Sequence, residues 1–170
     1  MVSYIFAYGS LVDKESRETT LKTDLVYPCV LQDHFIRFWT YHPNHQDQLV
    51  LGMCEYITKG NINGVLLVVD DIMLSNLDKR EDGYTRIELS KKNLVISKQF
   101  DSDIPLYTYV LHRNRYLEVE NSLENSRYMH MCCRGFLHYG REYLKEFIET
   151  TDGWKYPWME YYVNSYKKIC

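Results

Sequence analysis

Short runs of apolar residues, separated by residues that favour turns, occupy the first two thirds of the chain. The runs are rich in Val, Ile, Tyr and Phe and are bounded by Gly, Asn, Asp or Pro, which is typical of β-strands. They predict strands over residues 2–8, 25–31, 34–41, 49–56, 63–69, 85–96 and 105–112. The corner Lys59-Gly60-Asn61 predicts a hairpin turn between two of these strands.

Patterns with helical spacing interrupt this strand-rich region once and then close the chain. Asp70 or Asp71 can cap a helix that extends to about residue 81, with Gly83 at the position of a left-handed C-terminal cap. Ser126 can cap a helix over SRYMHMCCR, and GREYLKEFIETT carries an apolar stripe that predicts another. These helices are expected to cover the sheet. The aromatic tail, broken by Pro157, is expected to add an irregular cover or a short strand.

Length and composition indicate one globular domain that spans residues 1–170. A chain of this size buries about 70% of its unfolded surface on folding, which is enough for one substantial core. Hydrophobic residues make up 45% of the chain and charged residues 25%, as in ordinary globular proteins. The aromatic share of 15%, with 16 tyrosines, fits a β-rich domain with a pocket. No internal repeat or linker divides the sequence.

Charge and hydropathy argue against nucleic acid and membranes as partners. The net charge is −3 and acidic and basic residues are interspersed, so no basic stripe is available to follow a nucleic acid backbone. No apolar run approaches the roughly 20 residues that cross a bilayer. Met1-Val2-Ser3 enters a strand without the regions of a signal peptide. We therefore expect a soluble cytoplasmic protein that binds neither nucleic acid nor membrane.

Cysteine and histidine positions predict neither a disulfide framework nor a metal site. The five cysteines include no C-x-x-C motif, and their odd number favours reduced thiols. Cys132 and Cys133 are adjacent on a predicted helix, where they point about 100° apart and make poor joint ligands. His42 and His45 have a ligand-like spacing, but the intervening proline and asparagine predict a loop, and no further ligand follows at a recognisable interval.

The first strand ends in an unusual corner, the segment FAYGSL at residues 6–11. Gly9 permits backbone angles that a side chain would forbid, and it lets another group approach the main chain closely. Corners of this composition also occur in turns that have no further role.

Glu81 is the strongest candidate for a chemical role. Leu74, Leu77 and Glu81 share one stripe of the predicted helix, so the carboxylate lies among residues that should face the core. A glutamate whose pKa is shifted toward neutrality suits a general base, because it must be ionised to accept a proton and basic enough to hold it.

Several influences act on the pKa of Glu81 in opposite directions. Burial, the neighbouring Asp82 and the negative end of the helix dipole raise it, and Arg80 and Arg86 lower it. A buried ion pair between Glu81 and an arginine, which merely fastens helix to strand, is the structural alternative to a catalytic role.

Five segments together resemble the γ-glutamylcyclotransferase family over roughly residues 2–150. The segments are FAYGSL at 6–11, IRFW at 36–39, NGVLLVV at 63–69, LDKREDGY at 77–84 and EYLKEF at 142–147. Their order and spacing look most like the ChaC-like, glutathione-specific branch. The resemblance implies an α+β fold in which a small mixed β-barrel of antiparallel and parallel strands is flanked by helices.

The resemblance also implies an activity, the conversion of γ-glutamyl compounds to 5-oxoproline and a free amine without a metal or organic cofactor. By that resemblance Tyr8, Gly9, Ser10 and Leu11 form the loop that holds the γ-glutamyl group, and Glu81 is the catalytic acid/base. Backbone N–H groups at the Gly-Ser corner can bind the α-carboxylate of the substrate or a developing oxyanion.

Other residues have two interpretations each. Tyr84 is either a pocket wall or hydrogen-bond donor, or a core tyrosine. Tyr109 looks like the tyrosine that the wider family places on a late pocket strand, and a half-buried strand tyrosine is the alternative. Arg37 and Arg115 are candidates to meet the distal carboxylate of glutathione, and surface arginines otherwise. Asp78 is expected to be a structural cap or strand anchor.

The sequence does not decide the leaving group of the substrate. The chain departs from the ChaC-like pattern at residues 12–15, where that branch continues with aromatic and basic residues, and at Asn125, where a proline is usual. Glutathione, a γ-glutamyl amino acid, a γ-glutamyl-lysine isopeptide or a protected biosynthetic intermediate would each supply the same ring-closing half. A binding or regulatory module, such as an antitoxin-like partner, is the non-enzymatic alternative. Monomer and homodimer both fit the sequence.

Overall fold

Nine strands and five helices make up the regular structure of the described residues. The computed structural model describes residues 1–32, 34–56, 60–111, 122–154 and 157–169. The strands are β1 (Val2–Ala7), β2 (Val26–Gln32), β3 (Phe35–His42), β4 (His45–Glu55), β5 (Asn61–Asp70), β6 (Thr85–Glu88), β7 (Leu94–Ile96), β8 (Leu106–Val110) and β9 (Thr151–Asp152). The helices are α1 (Lys14–Glu18), α2 (Asp71–Arg80), α3 (Leu123–His138), α4 (Arg141–Glu149) and α5 (Pro157–Ile169), and 3₁₀ turns cover Ser10–Val12 and Lys91–Asn93.

The middle of the larger sheet consists of the most apolar strands. This sheet has the order β6-β8-β1-β5-β2-β7. Residues 62–67 of β5 are buried without interruption, as expected of a strand that is covered on both faces. β1 pairs antiparallel with β5 and parallel with β8, and Ala7 lies opposite Val65. The chain therefore leaves β1 near the centre of the sheet and enters residues 8–11 directly.

A smaller sheet with the order β4-β3-β9 contacts the larger one. β3 and β4 form a long antiparallel hairpin, and β9 joins β3 in parallel. The amide of Leu111 donates to the carbonyl of Met53 at 3.0 Å, which links the end of β8 to β4. Both sheets mix antiparallel and parallel pairs and are flanked by helices, which confirms the predicted α+β class.

Helix α3 packs against the segment that follows β1. A Cβ atom built at Gly135 would lie 2.5 Å from the backbone nitrogen of Asp13, so only glycine allows this approach. Arg134 adds two hydrogen bonds to the Asp13 carboxylate, of 2.7 and 2.8 Å. α4 packs on α3 through the stacked rings of Phe136 and Phe147, whose centroids are 4.1 Å apart. This packing holds the residues after β1 in place.

The predicted strand over residues 85–96 is wrong as a single element. It consists of β6 and β7, which lie at opposite edges of the larger sheet and are separated by the 3₁₀ turn Lys91–Asn93. The amide of Leu89 still donates to the carbonyl of Leu106 at 2.8 Å, so pairing with β8 extends to this residue. Beyond it the chain crosses the sheet, and β7 pairs with β2. The predicted corner at residues 59–61 begins at Lys59, which lies outside the described residues.

Two C-terminal predictions also need correction. α3 begins at Leu123, because Ser122 rather than Ser126 supplies the cap, with its Oγ accepting from the amide of Asn125 at 3.1 Å. The aromatic tail forms helix α5 and not an irregular cover or a strand. None of the described helices combines the length and the apolar character needed to cross a membrane.

The two N-terminal helices differ in how well the sequence predicted them. α2 is as expected, since Asp70 accepts a hydrogen bond from the amide of Met73 at 2.8 Å. Gly83 beyond its end adopts the left-handed region, with φ of +88°. α1 was not predicted, although Asp13 caps it through a 3.0 Å hydrogen bond from the amide of Ser16.

Candidate active site

A small cavity beyond the end of β1 brings the predicted site residues together. Its lining consists of Ile5, Phe6, Ala7, Tyr8, Gly9, Ser10, Leu11, Leu51, Glu81, Tyr84, Tyr109 and Tyr128. The residues predicted to hold the γ-glutamyl group or to act on it, Tyr8, Gly9, Ser10, Leu11, Glu81, Tyr84 and Tyr109, are all in this set. The cavity has a volume of about 40 Å³, room for about three water molecules. A ligand therefore presents a small group to its floor.

Glu81 supplies the only carboxylate of the cavity wall in the described structure. It follows the last residue of α2, and its side chain is 17% exposed. Burial raises the pKa of this carboxyl above its ordinary value of 4.5, and Arg80 partly opposes the shift. The Nε atom of Arg80 lies 3.6 Å from Glu81 Oε1. The result is a buried carboxyl that gains and loses a proton closer to neutrality than a surface glutamate does.

The other charges predicted to act on Glu81 are engaged elsewhere. The Asp82 carboxylate accepts a hydrogen bond of 2.9 Å from Asn44 Nδ2. Arg86 donates two hydrogen bonds, of 2.9 and 2.7 Å, to Asp78. The alternative of an ion pair between Glu81 and an arginine is therefore met by Arg80, next to it in the chain, and not by Arg86 of the next strand. Asp78 is the strand anchor that the sequence predicted.

Gly9 lies against the cavity without a positive φ. Its φ is −135°, outside the left-handed region that favours glycine. A Cβ atom at this position would lie 3.5 Å from Leu51 Cβ and 3.8 Å from Tyr128 Oη, both of which line the cavity. These are ordinary van der Waals distances, so a methyl group would fit at this position without a clash. The 3₁₀ turn that begins at Ser10 leaves its first N–H groups without a partner inside the turn.

Arg80 ties the loop after β1 to the end of α2. Its guanidinium donates to Ser10 Oγ at 3.3 Å, to Ser16 Oγ at 2.8 Å and to Thr20 Oγ1 at 2.9 Å. The same guanidinium faces Glu81. Arg80 thus fixes the distance between the carboxyl of Glu81 and residues 8–11, a role that the sequence did not reveal.

Phenol groups form a large part of the cavity wall. The hydroxyl of Tyr8 donates to the carbonyl of Tyr109 at 2.6 Å, and that of Tyr84 donates to the carbonyl of Leu51 at 2.9 Å. Burial raises the pKa of both phenols well above the usual value, so both stay protonated. The hydroxyl of Tyr109 donates to Asp78 Oδ1 at 2.8 Å, so Tyr109 contributes to the wall while its hydroxyl is engaged outside it.

Tyr128 lines the cavity and was not predicted as a site residue. Its hydroxyl forms a hydrogen bond with the Ser10 side chain and lies 3.5 Å from the amide nitrogen of Leu51. Burial raises the pKa of this phenol as well. Asn125, Tyr128 and Cys132 share one face of α3, and that helical spacing is the only local signal of its inward position.

Arg37 does not reach the cavity, so its assignment to the distal carboxylate of a substrate is wrong. It is fully buried, and it donates to the backbone carbonyl of Asn63 at 2.7 Å and to Thr151 Oγ1 at 2.7 Å. It also donates to the carbonyl of Tyr8 at 3.3 Å, but Arg37 is not among the residues that line the cavity. Burial lowers its pKa to about 9, which leaves it charged at neutral pH. Arg115 lies outside the described residues.

Metal ligands do not converge anywhere in the described parts of the chain. No three His, Cys, Asp or Glu side chains among these residues are close enough to hold an ion together. None of the described cysteines, Cys29, Cys54, Cys132 and Cys133, is part of a disulfide. Cys132 and Cys133 are buried in α3.

Replacing Glu81 should change how stability depends on pH. The pKa of Glu81 is higher in the folded state than in the unfolded state, so ionisation of Glu81 destabilises the fold. This destabilisation is absent below about pH 4.5, where the carboxyl is protonated in both states. It grows as the pH rises through the folded-state pKa. Glutamine does not ionise. We therefore expect the free energy of unfolding of Glu81→Gln, relative to wild type, to increase between pH 4 and pH 8 in urea titrations. A difference that stays constant over this range would contradict a buried, raised-pKa carboxyl.

Comparison with known proteins identifies the fold. No family model and no curated protein matches the sequence. The structure is similar to a γ-glutamyl cyclotransferase with a TM-score of 0.60, 18% sequence identity and coverage of 99% of both chains. It is also similar to an uncharacterised protein from Homo sapiens, with a TM-score of 0.61, 18% identity and coverage of 96% of this chain and 98% of that one.

A third similar structure is a yeast γ-glutamyl cyclotransferase specific to glutathione. The TM-score is 0.56, the identity 12%, and the match covers 89% of this chain and 97% of the yeast chain. At such identities a structural match establishes the architecture alone. The chain therefore has the γ-glutamyl cyclotransferase fold, and its chemistry has to be argued from its own cavity.

Proposed function

We propose that this protein is a γ-glutamylcyclotransferase that converts glutathione to 5-oxoproline and Cys-Gly, with Glu81 as the general acid/base. The observation that carries the proposal is the buried carboxyl of Glu81 with its raised pKa, placed in one small cavity with the loop of residues 8–11. A carboxyl whose pKa is raised can both accept a proton from an ammonium group and return it, which suits acid/base catalysis.

The reaction is an intramolecular acyl transfer. Ionised Glu81 takes a proton from the α-ammonium group, and the freed amine attacks the γ-carbonyl carbon to close a five-membered ring. The C–N bond to cysteine then breaks as protonated Glu81 delivers a proton to the leaving nitrogen. In total two protons leave the α-nitrogen and two arrive on the leaving amine, so Glu81 ends as it began.

The shape of the cavity supports this chemistry. The γ-glutamyl chain is flexible, and holding it in the attack geometry lowers the barrier by up to about 7–11 kcal/mol in well-oriented intramolecular reactions. The free N–H groups at the start of the 3₁₀ turn after Gly9 are suited to the α-carboxylate or the developing oxyanion. The protonated phenols of Tyr84 and Tyr128 exclude water without adding charge.

Glutathione is the proposed substrate on two grounds. Five sequence segments resemble the glutathione-specific branch, and the yeast neighbour with the same fold is described as specific to glutathione. The cavity has room for only part of a γ-glutamyl group, so the rest of the substrate, including the leaving amine, would lie outside it. The cavity lining itself therefore discriminates weakly among leaving groups.

A panel of γ-glutamyl compounds tests the substrate assignment. Purified protein is incubated with glutathione, γ-glutamyl-alanine, γ-glutamyl-ε-lysine and γ-glutamyl-ethylamide, and 5-oxoproline is quantified by mass spectrometry. We expect kcat/KM for glutathione to exceed the others by at least about tenfold, equivalent to about 1.4 kcal/mol. A higher value for another compound would replace glutathione as the substrate but keep the reaction. Release from none of them would leave the binding module as the better account.

A further inference from the structure

Glu81 lies where helix α2 passes into a turn, and its amide still donates to the carbonyl of Leu77 at 2.8 Å. α2 ends at Arg80, and the amide of Tyr84 donates to the carbonyl of Glu81 at 3.0 Å to close the turn over residues 81–84. Gly83, with φ of +88°, allows the chain to reverse there. α2 and Arg80 hold Glu81 from one side, and the turn that follows is closed by one backbone hydrogen bond, so its position also depends on what packs against residues 82–84.

The tip of the β3–β4 hairpin packs against this turn. Asn44 Nδ2 donates to Asp82 Oδ2 at 2.9 Å. The ring of Pro43 lies over Gly83, where an added Cβ atom would be 3.1 Å from Pro43 Cγ. Two neighbouring residues of the hairpin tip thus contact Asp82 and Gly83, the two residues that follow Glu81.

His42 joins the two segments from the other side. Its Nδ1 accepts from the amide of Asn44 at 3.2 Å, and its imidazole also forms a hydrogen bond with the backbone of Asp82. The ring lies 6.3 Å from the ring of Tyr84, and the Tyr84 hydroxyl is bound to β4. A neutral imidazole is required, because protonation of Nδ1 would remove its acceptor.

We infer that the hairpin tip, residues 42–44, is a clamp that positions the Glu81 carboxyl in the cavity by holding the turn over residues 81–84. The charged and titratable groups around the clamp are His45, 4.9 Å from His42 between ring centroids, Asp82, which is exposed, and Arg80, which faces Glu81. The inference concerns the placement of Glu81, and only its effect on turnover rests on the proposed function.

Asn44→Ala tests the clamp, with Asn76→Ala as its control. Asn76 is exposed on α2, the helix that carries Glu81, and is no part of the cavity. The Glu81 carboxyl is titrated by ¹³C NMR, with its signal identified by its loss in Glu81→Gln. We expect Asn44→Ala to move the midpoint toward 4.5 as water reaches the carboxyl, and Asn76→Ala to leave it unchanged.

The kinetic readout separates positioning from folding. We expect Asn44→Ala to lower kcat for 5-oxoproline release about tenfold with KM nearly unchanged, because misplacement of a reacting group costs rate more than binding. Asp82→Ala should act in the same direction, and Asp82→Asn should restore most of the rate, because its amide oxygen still accepts from Asn44.

Three results decide between the possible accounts. An unchanged Glu81 titration and full kcat in both Asn44→Ala and Asp82→Ala would overturn the clamp. A shifted titration in an otherwise folded Asn44→Ala supports it, even if wild type releases no 5-oxoproline and the proposed function fails. Loss of rate in Asp82→Asn equal to that in Asp82→Ala would also count against it, since the proposed hydrogen bond survives the conservative change.

Discussion

We expect Glu81→Gln to lower kcat for 5-oxoproline release from glutathione by a factor of about 10²–10⁴, the usual contribution of a general acid/base. Glutamine keeps the length and shape of the side chain but cannot accept the proton of the α-ammonium group. KM should change little, because the loop of residues 8–11 and the phenols that line the cavity remain. Steady-state kinetics with circular dichroism as a check of folding measure both effects.

Glu146→Gln is the matched control for this substitution. Glu146 lies on α4, away from the cavity, and burial raises the pKa of its carboxyl too. We expect this variant to retain wild-type kcat within a factor of about two. If both variants lose activity equally, the loss reflects charge or folding in general, and Glu81 has no special role.

The largest effect on stability is expected from Arg37→Met. Arg37 is fully buried, donates six hydrogen bonds to groups from four segments of the chain, and lies 4.4 Å over the ring of Phe147. Methionine fills similar space but leaves the oxygens of Asn63 and Tyr8 without these donors. Unsatisfied buried polar groups cost about 1–3 kcal/mol each, so we expect the free energy of unfolding to fall by at least about 3 kcal/mol.

Two further variants show whether the geometry of Arg37 or its charge is responsible. Arg127→Met removes an arginine from the exposed face of α3 and should change the free energy of unfolding by less than about 0.5 kcal/mol. Arg37→Lys keeps the charge but not the planar fork, and it should recover only part of the loss. Urea denaturation of the three variants measures these differences, and wild-type stability in Arg37→Met would refute a structural role.

The site could be predicted from the sequence where it depended on local patterns. Glu81 shares a helical stripe with Leu77, which is fully buried, so the periodicity alone indicated an inward carboxyl. The loop of residues 8–11 was marked by the Gly-Ser corner at the end of an apolar strand. Each of these two signals is contained within a few neighbouring residues, a helical stripe in one case and the end of a strand in the other. Local interactions are therefore enough to predict them.

Contacts between segments that are far apart in the chain could not be predicted from the sequence. Arg37 meets Asn63 and Thr151, which are 26 and 114 positions away, so nothing near Arg37 indicated that it is buried. Tyr128 enters the cavity from α3, and its neighbours there, Ser10 and Leu51, come from the loop after β1 and from β4. Such residues are recognisable only after the sheets and helices have been assembled.

Two errors in the predicted secondary structure have physical causes, one at Pro157 and one at the 3₁₀ turn between β6 and β7. In the sequence Pro157 predicts a break in the tail, but it is the first residue of α5. Proline is favoured at that position because the N–H group that it lacks would have no hydrogen-bond partner within the helix. The apolar pattern over residues 85–96 continued across a 3₁₀ turn that sends the chain from one edge of the sheet to the other. Local polarity does not report such a change of partner strand.

The most direct test of the proposed function is the stoichiometry of glutathione conversion. Wild type, Glu81→Gln and Glu146→Gln are incubated with glutathione, and 5-oxoproline and Cys-Gly are quantified in the same samples. The account predicts equimolar release of the two products by wild type and Glu146→Gln, and almost none by folded Glu81→Gln. Equal release by all three would contradict the role of Glu81, and no release by folded wild type would contradict the assignment of this activity to glutathione.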